Sequence, residues 1–520
     1  MLARLKAEPN GSSLQFFTLR RPMNPARPAY FFPLAHCVPF YLGLLFGGGV
    51  CIHAATAAEG SSRPNILLLI GDNWQYEHAG ANGYGMVKTP VFDRLAREGV
   101  RFTNAFCPVP SCGPTRSSFV TGRAAHQLEA AANHCSSFPG KFRVFVDALT
   151  VCGYHAGHMG KGWGPGIYEG YGRTESPAGK LYPDFADFMA KRPEKQPFFF
   201  WYGATNTASR RWMPGSGARH GIDPARVRVP GYLPDAPLVR EEITDYLASV
   251  EEMDAEFGRA IALLEKSGEL ANTVVIQTSD NGWEMPRGLG HVYDGGCHVP
   301  LAVRWPGRIP AGRVLEDFVS VTDYAPTILE LAGLVPWSEM TGRSFLDLLT
   351  GQPSAIVRDH VFVERERHAN VRRGNLSYPV RGIRTRNFLY LRNLRPDRQP
   401  AGDPIVYFAV GDYGDVDPTR SKQYMLDHRN DPSMLRLFAR AFKKRPAEEL
   451  YDLRNDPDQL DNVAANPAYA RAKKELSDRV DTWMKATADP RVDPTYDEFD
   501  KYPYFVGRPA PVIRAWDEEK

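Results

Sequence analysis

Two apolar runs of strand length, each followed by an acid and an amide, constrain the fold more than any other feature of this chain. The first run covers residues 65–70 and is followed by Asp72 and Asn73, and the second covers residues 273–279 and is followed by Asp280 and Asn281. A continuous apolar run of this length, bounded by a turn, is typical of a strand buried on both faces of a parallel sheet. Open α/β sheets hold ligands at the carboxyl ends of such strands. The sequence therefore predicts an α/β protein with a ligand site at two strand ends.

The four side chains at these strand ends have the chemistry of a cation site. Asp72, Asn73, Asp280 and Asn281 offer carboxylate and amide oxygens with a formal charge of −2. Hard oxygen ligands favour calcium, and magnesium less strongly. For either pair taken alone, the alternative is an ordinary turn in which the side chain bonds to nearby backbone. The recurrence of the pair after a second strand favours the cation.

A third segment, residues 111–123, predicts a helix that begins near Pro114, because proline is tolerated at the first helical position. Cys112 would then lie at or just before the N-terminus, where backbone amides and the helix dipole favour a bound oxyanion. Arg116, one turn further on, could donate to two oxygens of the same anion. The alternative is a buried or disulfide-bonded cysteine near an ordinary surface arginine.

The residues of this segment resemble the signature of the formylglycine-dependent sulfatases. The match consists of Cys112, Pro114, Arg116 and the Thr-Gly-Arg ending at residues 121–123. The resemblance spans about residues 62–485, and its C-terminal part is similar to heparan N-sulfatase (sulfamidase)-like members. It implies an α/β, alkaline-phosphatase-like fold, with a mixed, mostly parallel sheet between helices. It also implies a smaller C-terminal α+β subdomain built on an antiparallel sheet.

The resemblance also implies a mechanism. Cys112 would be oxidised by a formylglycine-generating maturation enzyme to 3-oxoalanine, and with the four strand-end residues it would bind calcium. Arg116 and Lys161 would stabilise charge on the sulfate. The aldehyde explains why a plain thiol would not serve, since a thio-linked sulfate has no release route. A hydrated aldehyde carries a second hydroxyl whose deprotonation expels sulfate.

The chain departs from the family pattern at several positions. Asn73 replaces the usual second aspartate, and Trp163 replaces a histidine that many members have two residues after the lysine. Ser209 stands where a sulfate-contacting histidine is expected, and Leu289 where a lysine or arginine is expected. A serine cannot act as a cation or protonate a leaving group near neutral pH. These two losses raise the question of whether activity is retained.

Other residues are candidates for the missing roles. Arg287 or His291 could compensate for Leu289 from nearby positions. His126, His291 and His368 are candidates for the general acid, and we assign His126 to the catalytic set. His368 and Arg381 could contact a sulfated sugar. The alternatives are a capping or surface histidine at position 126 and solvated sheet or loop residues at positions 368 and 381.

The first 58 residues predict a secretory signal peptide. Arg20, Arg21 and Arg27 precede an apolar run at residues 38–52, which is followed by small residues at 54–58. The run is shorter than the roughly 20 residues of a membrane span, although an uncleaved anchor is an alternative and translation could start at Met23. We expect a secreted or periplasmic protein without stable membrane association after cleavage.

The predicted organisation is a leader at residues 1–58, a catalytic domain at 62–358, a C-terminal subdomain at 359–488 and an irregular tail at 489–520. A net charge of +3 over 520 residues does not indicate nucleic-acid binding. Few cysteines follow the leader, which excludes a disulfide scaffold. Pairing among Cys107, Cys135, Cys152 and Cys297 stays open.

The leading hypothesis is an exported sulfatase that hydrolyses sulfate esters or sulfamates, with a sulfated carbohydrate as the substrate class. One alternative is a catalytically impaired homologue that binds sulfated glycans, because Ser209 and Leu289 remove two cationic partners. The other is a phosphoester or phosphonate hydrolase, because the same superfamily fold serves phosphate.

Overall fold

The computed structural model describes residues 63–404 and 411–505. The predicted leader lies outside these residues, as does the end of the predicted tail. The strands are β1 (Asn65–Gly71), β2 (Val100–Phe106), β3 (Ser136–Ser137), β4 (His155–Gly160), β5 (Gly166–Ile167), β6 (Lys180–Leu181), β7 (Phe198–Gly203), β8 (Thr273–Ser279), β9 (His298–Arg304), β10 (Arg313–Ser320), β11 (His360–Arg365), β12 (Val380–Thr385), β13 (Phe388–Asn393) and β14 (Glu448–Asp452).

The helices are α1 (Pro90–Glu98), α2 (Cys112–Thr121), α3 (Phe145–Val151), α4 (Phe185–Lys191), α5 (Ser216–Arg219), α6 (Pro237–Lys266), α7 (Asp294–Cys297), α8 (Tyr324–Leu331), α9 (Leu346–Thr350), α10 (Arg420–Asp427), α11 (Leu435–Phe442), α12 (Ala470–Ala486) and α13 (Glu498–Lys501). Helix α2 begins at Cys112, so Pro114 is its third residue. The sequence had predicted Pro114 as the first helical residue.

Eight strands form the main sheet in the order β10-β2-β9-β8-β1-β7-β4-β6. Strand β9 is antiparallel to both of its neighbours, β2 and β8. The other neighbouring pairs are parallel. This topology confirms the predicted mixed, mostly parallel sheet.

The continuous apolar sequence of β1 follows from its central position. Ile66, Leu68 and Ile70 belong to one hydrophobic core, which also holds residues of α2, α3 and α8. Leu67 and Leu69 face the opposite core, which is built largely on α6. Because both faces of the sheet are covered, successive side chains of the strand are all buried and no polar alternation is required.

The second sheet is antiparallel, in the order β11-β12-β13-β14. One of its faces contributes to the same core as α2, while the other packs against Leu476, Val480 and Met484 of α12. This arrangement confirms the predicted C-terminal antiparallel element. The exact domain boundaries proposed from sequence stay predictions.

No helix within residues 63–404 and 411–505 combines the length and apolar composition needed to cross a bilayer. The five cysteines in this part of the chain are free in the structure, namely Cys107, Cys112, Cys135, Cys152 and Cys297.

Candidate active site

The two acid and amide pairs meet at one edge of the main sheet. The last residues of β1 and β8 are register partners in a parallel pair, so the segments that follow them leave the sheet side by side. The backbone N–H of Asn73 donates to Oδ1 of Asp280 at 3.1 Å. Asp72 and Asn281 lie in the same cluster, and all four side chains are buried. The structure therefore brings together the four residues that the sequence placed at strand ends.

Cys112 lies against this cluster as the first residue of α2. Its Sγ is 3.5 Å from Oδ1 of Asp72 and 3.8 Å from Oδ1 of Asn73. One ligand atom from each of Asp72, Cys112 and Asp280 lies within 4.8 Å of the others. Burial raises the pKa of the Cys112 thiol well above its usual value, and the charge of Asp280 adds to this effect. The unmodified thiol is therefore protonated near neutral pH and is a poor nucleophile.

Arg116 lies one turn along α2 from Cys112, as the sequence predicted. Its Nε donates to Oδ2 of Asp280 at 2.9 Å, and its Nη1 donates to the carbonyl of Gly162 at 2.6 Å. Nη2 is buried, lies 3.9 Å from Oδ1 of Asp72 and has no hydrogen-bond partner among the described residues. The guanidinium is held from two sides, and one nitrogen is left to bind an anion.

Lys161 follows β4 at the same sheet edge. Its ammonium forms an ion pair with Oδ1 of Asp72. Burial alone would lower the pKa of Lys161, but Asp72, Cys112 and Asp280 together outweigh burial and hold the pKa above its usual value. Burial would raise the pKa of Asp72, but Lys161 and Arg116 keep it below its usual value. Both groups are therefore charged at neutral pH.

Two buried oxygens of the cluster are available to bind a cation. Oδ2 of Asp72 and Oδ1 of Asn281 are buried without a hydrogen-bond partner in the described part of the chain. Leaving buried acceptors unpaired is costly, unless another ligand satisfies them. A set of carboxylate and amide oxygens matches the preference of calcium or magnesium. The residues present therefore fit a hard divalent ion.

A cavity of about 520 Å³ opens beside this cluster. Its walls include the cations Lys161, Lys180 and Arg210 and the aromatic residues Trp163 and Tyr168. The indole of Trp163 is fixed to α2, because its Nε1 donates to Oγ of Ser117 at 2.9 Å. A cavity that combines cationic and aromatic walls suits an anionic ligand with an apolar face.

Residues 64–334 match the sulfatase family model, which covers just over half of the chain. The chain belongs to the sulfatase family. Residues 288–395 match the model of the C-terminal domain of N-sulphoglucosamine sulphohydrolase. The resemblance to sulfatases with sulfamidase-like features is thereby confirmed, and so is the prediction of a sulfatase.

Individual relatives agree with this assignment. The chain is 29% identical to human N-sulphoglucosamine sulphohydrolase over 508 residues, which covers 88% of this chain and 95% of the relative. It is 26% identical to an ulvan-active sulfatase of Formosa agariphila over 482 residues, which covers 84% and 77% of the two chains. A solved structure in complex with its substrate D-glucosamine-2-N,6-O-disulfate matches with a TM-score of 0.58 and 21% identity, over 83% of this chain and 99% of the other.

The first departure from the sulfatase pattern, Ser209, contributes its backbone to the site. Its N–H donates to Oε2 of Glu284 at 2.7 Å. The neighbouring Arg210 has a side chain 64% exposed, and its Nη2 lies 4.0 Å from Oδ2 of Asp72. The sequence analysis did not single out Arg210, because the direction of its side chain depends on the loop after β7. The structure therefore places a cation beside the position where this sulfatase lacks the usual histidine.

The second departure, Leu289, is a buried residue whose N–H donates to the carbonyl of Trp283 at 2.7 Å. Arg287 does not replace the missing cation, because its guanidinium lies over the ring of Tyr293 at 3.8 Å and donates to the carbonyl of Arg440. Burial lowers the pKa of His291 well below its usual value, so its ring is neutral. The contacts of Arg287 therefore argue against its predicted compensation for Leu289, and the neutral His291 supplies no positive charge there.

His126 and Arg381 are buried in contacts with the C-terminal part of the chain. Nδ1 of His126 bonds to Oε2 of Glu364 at 2.9 Å, and Nε2 bonds to Oγ1 of Thr487 at 2.9 Å. Arg381 pairs with Glu366 at 2.8 Å and also with Asp489. Because these polar groups already have protein partners, the contacts argue against the proton-transfer role predicted for His126 and the sugar contact predicted for Arg381.

His368 contacts the residue that precedes Cys112 in the sequence. Its Nδ1 bonds at 2.8 Å to Oγ of Ser111, the residue immediately before the cysteine, and its ring stacks on that of His134. Burial, together with the neighbouring His134, lowers the pKa of His368 to about 3. A neutral ring bonded to Ser111 stabilises the start of α2 and is not a cationic sulfate ligand.

Glu284 is a site residue that the sequence analysis missed. Its two carboxylate oxygens accept from Nδ2 of Asn73 and from the N–H of Ser209. Burial and the charge of Asp417 together raise the pKa of Glu284 to about 8. The available signal was a charged residue between two large apolar neighbours shortly after the second strand end, since such residues are rarely buried without a partner.

Proposed function

We propose that this sulfatase is an exported hydrolase that removes sulfate from an ester or sulfamate group of a sulfated glycan. The observation that carries the proposal is the position of Cys112, whose Sγ lies 3.5 Å from Asp72 in a cluster with Asp280, Arg116 and Lys161. We further propose that a maturation enzyme converts Cys112 to formylglycine. The protonation of the buried thiol supports this, because the unmodified residue would be a weak nucleophile at neutral pH.

Calcium is the proposed cation, and Asp72, Asn73, Asp280 and Asn281 would hold it together with the modified residue 112. When present, the hydrated aldehyde supplies an attacking hydroxyl and a second hydroxyl whose deprotonation expels sulfate, while the cation stabilises charge on oxygen. The unpartnered oxygens of Asp72 and Asn281 support this ligand set.

Arg116 and Lys161 are proposed to bind and orient the sulfate group. The free Nη2 of Arg116 and the ammonium of Lys161 both lie near Oδ1 of Asp72, and each can donate to a sulfate oxygen bound beside that carboxylate. Their positions are fixed before substrate arrives, because the rest of the guanidinium bonds to Asp280 and to the carbonyl of Gly162. Preorganised donors of this kind stabilise negative charge more effectively than water does.

The glycan class is supported by the cavity and by the relatives. Sugar rings present apolar C–H faces to aromatic side chains such as Trp163 and Tyr168, while Lys180 and Arg210 suit further sulfate groups. The human relative is named for N-sulphoglucosamine, and a structurally similar protein was solved with D-glucosamine-2-N,6-O-disulfate. An N- or O-sulfated glucosamine unit is therefore the first substrate to test.

The decisive experiment combines mass spectrometry of the peptide that contains Cys112 with assays on N-sulfated and O-sulfated glucosamine saccharides. We expect the mass of formylglycine at position 112 and release of sulfate that chelation abolishes. A Cys112→Ala variant that keeps the same turnover would exclude the nucleophile. Faster turnover of matched phosphate or phosphonate esters would instead support the phosphohydrolase alternative.

Ser209 and Leu289 favour a second candidate, a sulfoglycan-binding protein with impaired catalysis. Loss of one donor at such a site typically lowers turnover by about 10²- to 10³-fold, so two losses could leave little activity. Calorimetric titration with a sulfated saccharide separates the two functions. Stoichiometric binding without sulfate release, on protein shown to carry formylglycine, would support the binding protein and overturn the hydrolase.

The proposed export depends on residues 1–58, which the structure does not describe. Its support is the order of basic, apolar and small residues in that segment. Expression of the full chain in a bacterial host, followed by N-terminal sequencing of protein from the periplasm or medium, tests it. Cleavage near residue 58 is expected, and retention of the intact N-terminus in the membrane fraction would support the uncleaved anchor.

A further inference from the structure

Asn73 and Glu284 are in direct contact beneath the proposed cation site. Nδ2 of Asn73 donates to Oε1 of Glu284, and both side chains are buried. The other carboxylate oxygen of Glu284 accepts from the N–H of Ser209 at 2.7 Å. Among the described residues, Glu284 makes no hydrogen bond to Cys112. Its connection with the site runs through Asn73.

The hydrogen bonds around Asn73 define which end of its amide faces the cluster. Oδ1 accepts from Nδ2 of Asn281 and lies 3.8 Å from Sγ of Cys112. A flipped amide would place its oxygen against the Glu284 carboxylate and its NH₂ group against that of Asn281. Both contacts would be unfavourable, since each would join two acceptors or two donors. The two neighbours therefore hold the carbonyl oxygen toward the cluster.

We propose that Glu284 is a positioning residue for the proposed metal site, and that the pair of Asn73 and Glu284 does the work of a second aspartate at the end of β1. Glu284 fixes the amide so that its oxygen faces the cation, which gives the site an oriented oxygen ligand where the usual pattern has a second aspartate. This inference rests on the proposed function only through the presence of a divalent ion. Outer partners of metal ligands typically change metal affinity by about 10- to 100-fold when they are removed.

The pairing predicts that the acid and the amide can be exchanged. In the double variant N73D/E284Q, one oxygen of the new aspartate accepts from the new glutamine NH₂, and the other faces the cation. The glutamine oxygen still accepts from the N–H of Ser209. Asn73 has a backbone φ of +73°, a region that asparagine and aspartate tolerate better than most residues, so N73D needs no backbone change. The number of carboxylates around the site is also unchanged.

The single variants break this pattern. Glu284→Gln must place its NH₂ group against either Nδ2 of Asn73 or the N–H of Ser209, which favours a flipped Asn73 amide. Asn73→Asp replaces the amide donor that faces Glu284 with a second carboxyl group, so the hydrogen bond from residue 73 to Glu284 is lost. We expect the calcium dissociation constant to rise by about 10- to 100-fold in E284Q. The double variant should bind within about 3-fold of the original protein.

The test is isothermal titration of the full chain with calcium chloride, together with thermal unfolding without calcium. The matched control is Glu242→Gln, because Glu242 is also buried and also accepts backbone N–H groups, from Arg420 and Ser421. E242Q should lower the unfolding temperature without changing calcium affinity. A purely structural role for Glu284 would give the same result for E284Q.

The outcomes separate this inference from the proposed function. If the original chain binds no divalent ion, the proposed metal site is overturned, and the positioning role with it. If the original chain binds calcium and E284Q binds it equally well, only the positioning role is overturned. If the single variants fail to fold, a folded double variant with restored calcium affinity supports the exchange. A double variant that does not fold, or that binds as weakly as E284Q, overturns it.

Discussion

Nε of Arg116 donates to Oδ2 of Asp280 at 2.9 Å, and both side chains are fully buried. The pair joins the helix that carries Cys112 to the end of β8. Replacing Arg116 with methionine would leave a buried carboxylate without its partner, which typically costs about 3–5 kcal/mol of unfolding free energy. We expect that loss in chemical denaturation without calcium. Excess calcium should restore part of it, whereas equal losses with and without calcium would contradict the shared cluster.

Removal of calcium should lower the stability of the original protein. An ion at 100 times its dissociation constant stabilises the folded state by about 2.7 kcal/mol if it does not bind the unfolded chain. We therefore expect the unfolding temperature to fall after chelation and to recover with added calcium. Asp280→Asn should show a much smaller calcium-dependent shift, and a shift equal to that of the original protein would exclude Asp280 as a ligand.

Arg210 should affect substrate use without affecting folding. Its side chain is mostly exposed and lies in the wall of the cavity beside Asp72. Hydrogen bonds to charged groups are worth about 1.5–3 kcal/mol, so Arg210→Ala should lower kcat/KM by roughly 10- to 100-fold with an unchanged unfolding temperature. Arg211→Ala is the control, because Arg211 is also exposed but does not line this cavity. Equal effects of the two variants would point to general surface charge.

Arg381→Met should affect folding without affecting substrate use. The guanidinium is fully buried between Glu366 and Asp489, so its loss leaves carboxylates unpaired and should cost about 3–5 kcal/mol. The KM for a sulfated saccharide should stay within about 2-fold of the original value, measured well below the unfolding temperature. A large rise in KM with unchanged stability would restore the sugar contact predicted from sequence.

Acid should destabilise the fold partly through His78. Burial lowers the pKa of His78 to about 3, and its ring packs among Tyr84, Tyr246 and Trp283. In the unfolded chain the pKa is near 6.5, so only the unfolded state gains this proton between pH 6.5 and about 3. Stability therefore falls as the pH falls through that window. His78→Phe should give a shallower slope in pH-dependent denaturation, and an unchanged slope would exclude this histidine.

The parts of the site predicted from sequence are those that depend on local pattern and strand order. Asp72 and Asp280 follow uninterrupted apolar runs, and parallel strands that end at one edge must bring such residues together. Cys112 and Arg116 are one helical turn apart, so a single helix places both. These relationships need no knowledge of how distant loops fold.

The parts that were missed depend on tertiary contacts. Arg381 and its partner Asp489 are separated by 108 positions, so nothing near the arginine indicates that it is buried and paired. Glu284 reaches Asn73 only because β1 and β8 are neighbours and the loop after β8 turns back over the strand end. Arg210 is similar, since its approach to Asp72 depends on the loop after β7. Side-chain partners of this kind are set by the folded loops.

All ten residues of α2 are buried, and Cys112 itself is only 4% exposed. If a maturation enzyme oxidises Cys112 as proposed, it must reach a side chain that the folded protein buries. Such an oxidation would therefore have to precede folding. Protein that folds before it meets such an enzyme would keep an unmodified Cys112 thiol. The rate of expression and the supply of the oxidising enzyme together would then set the active fraction of a preparation.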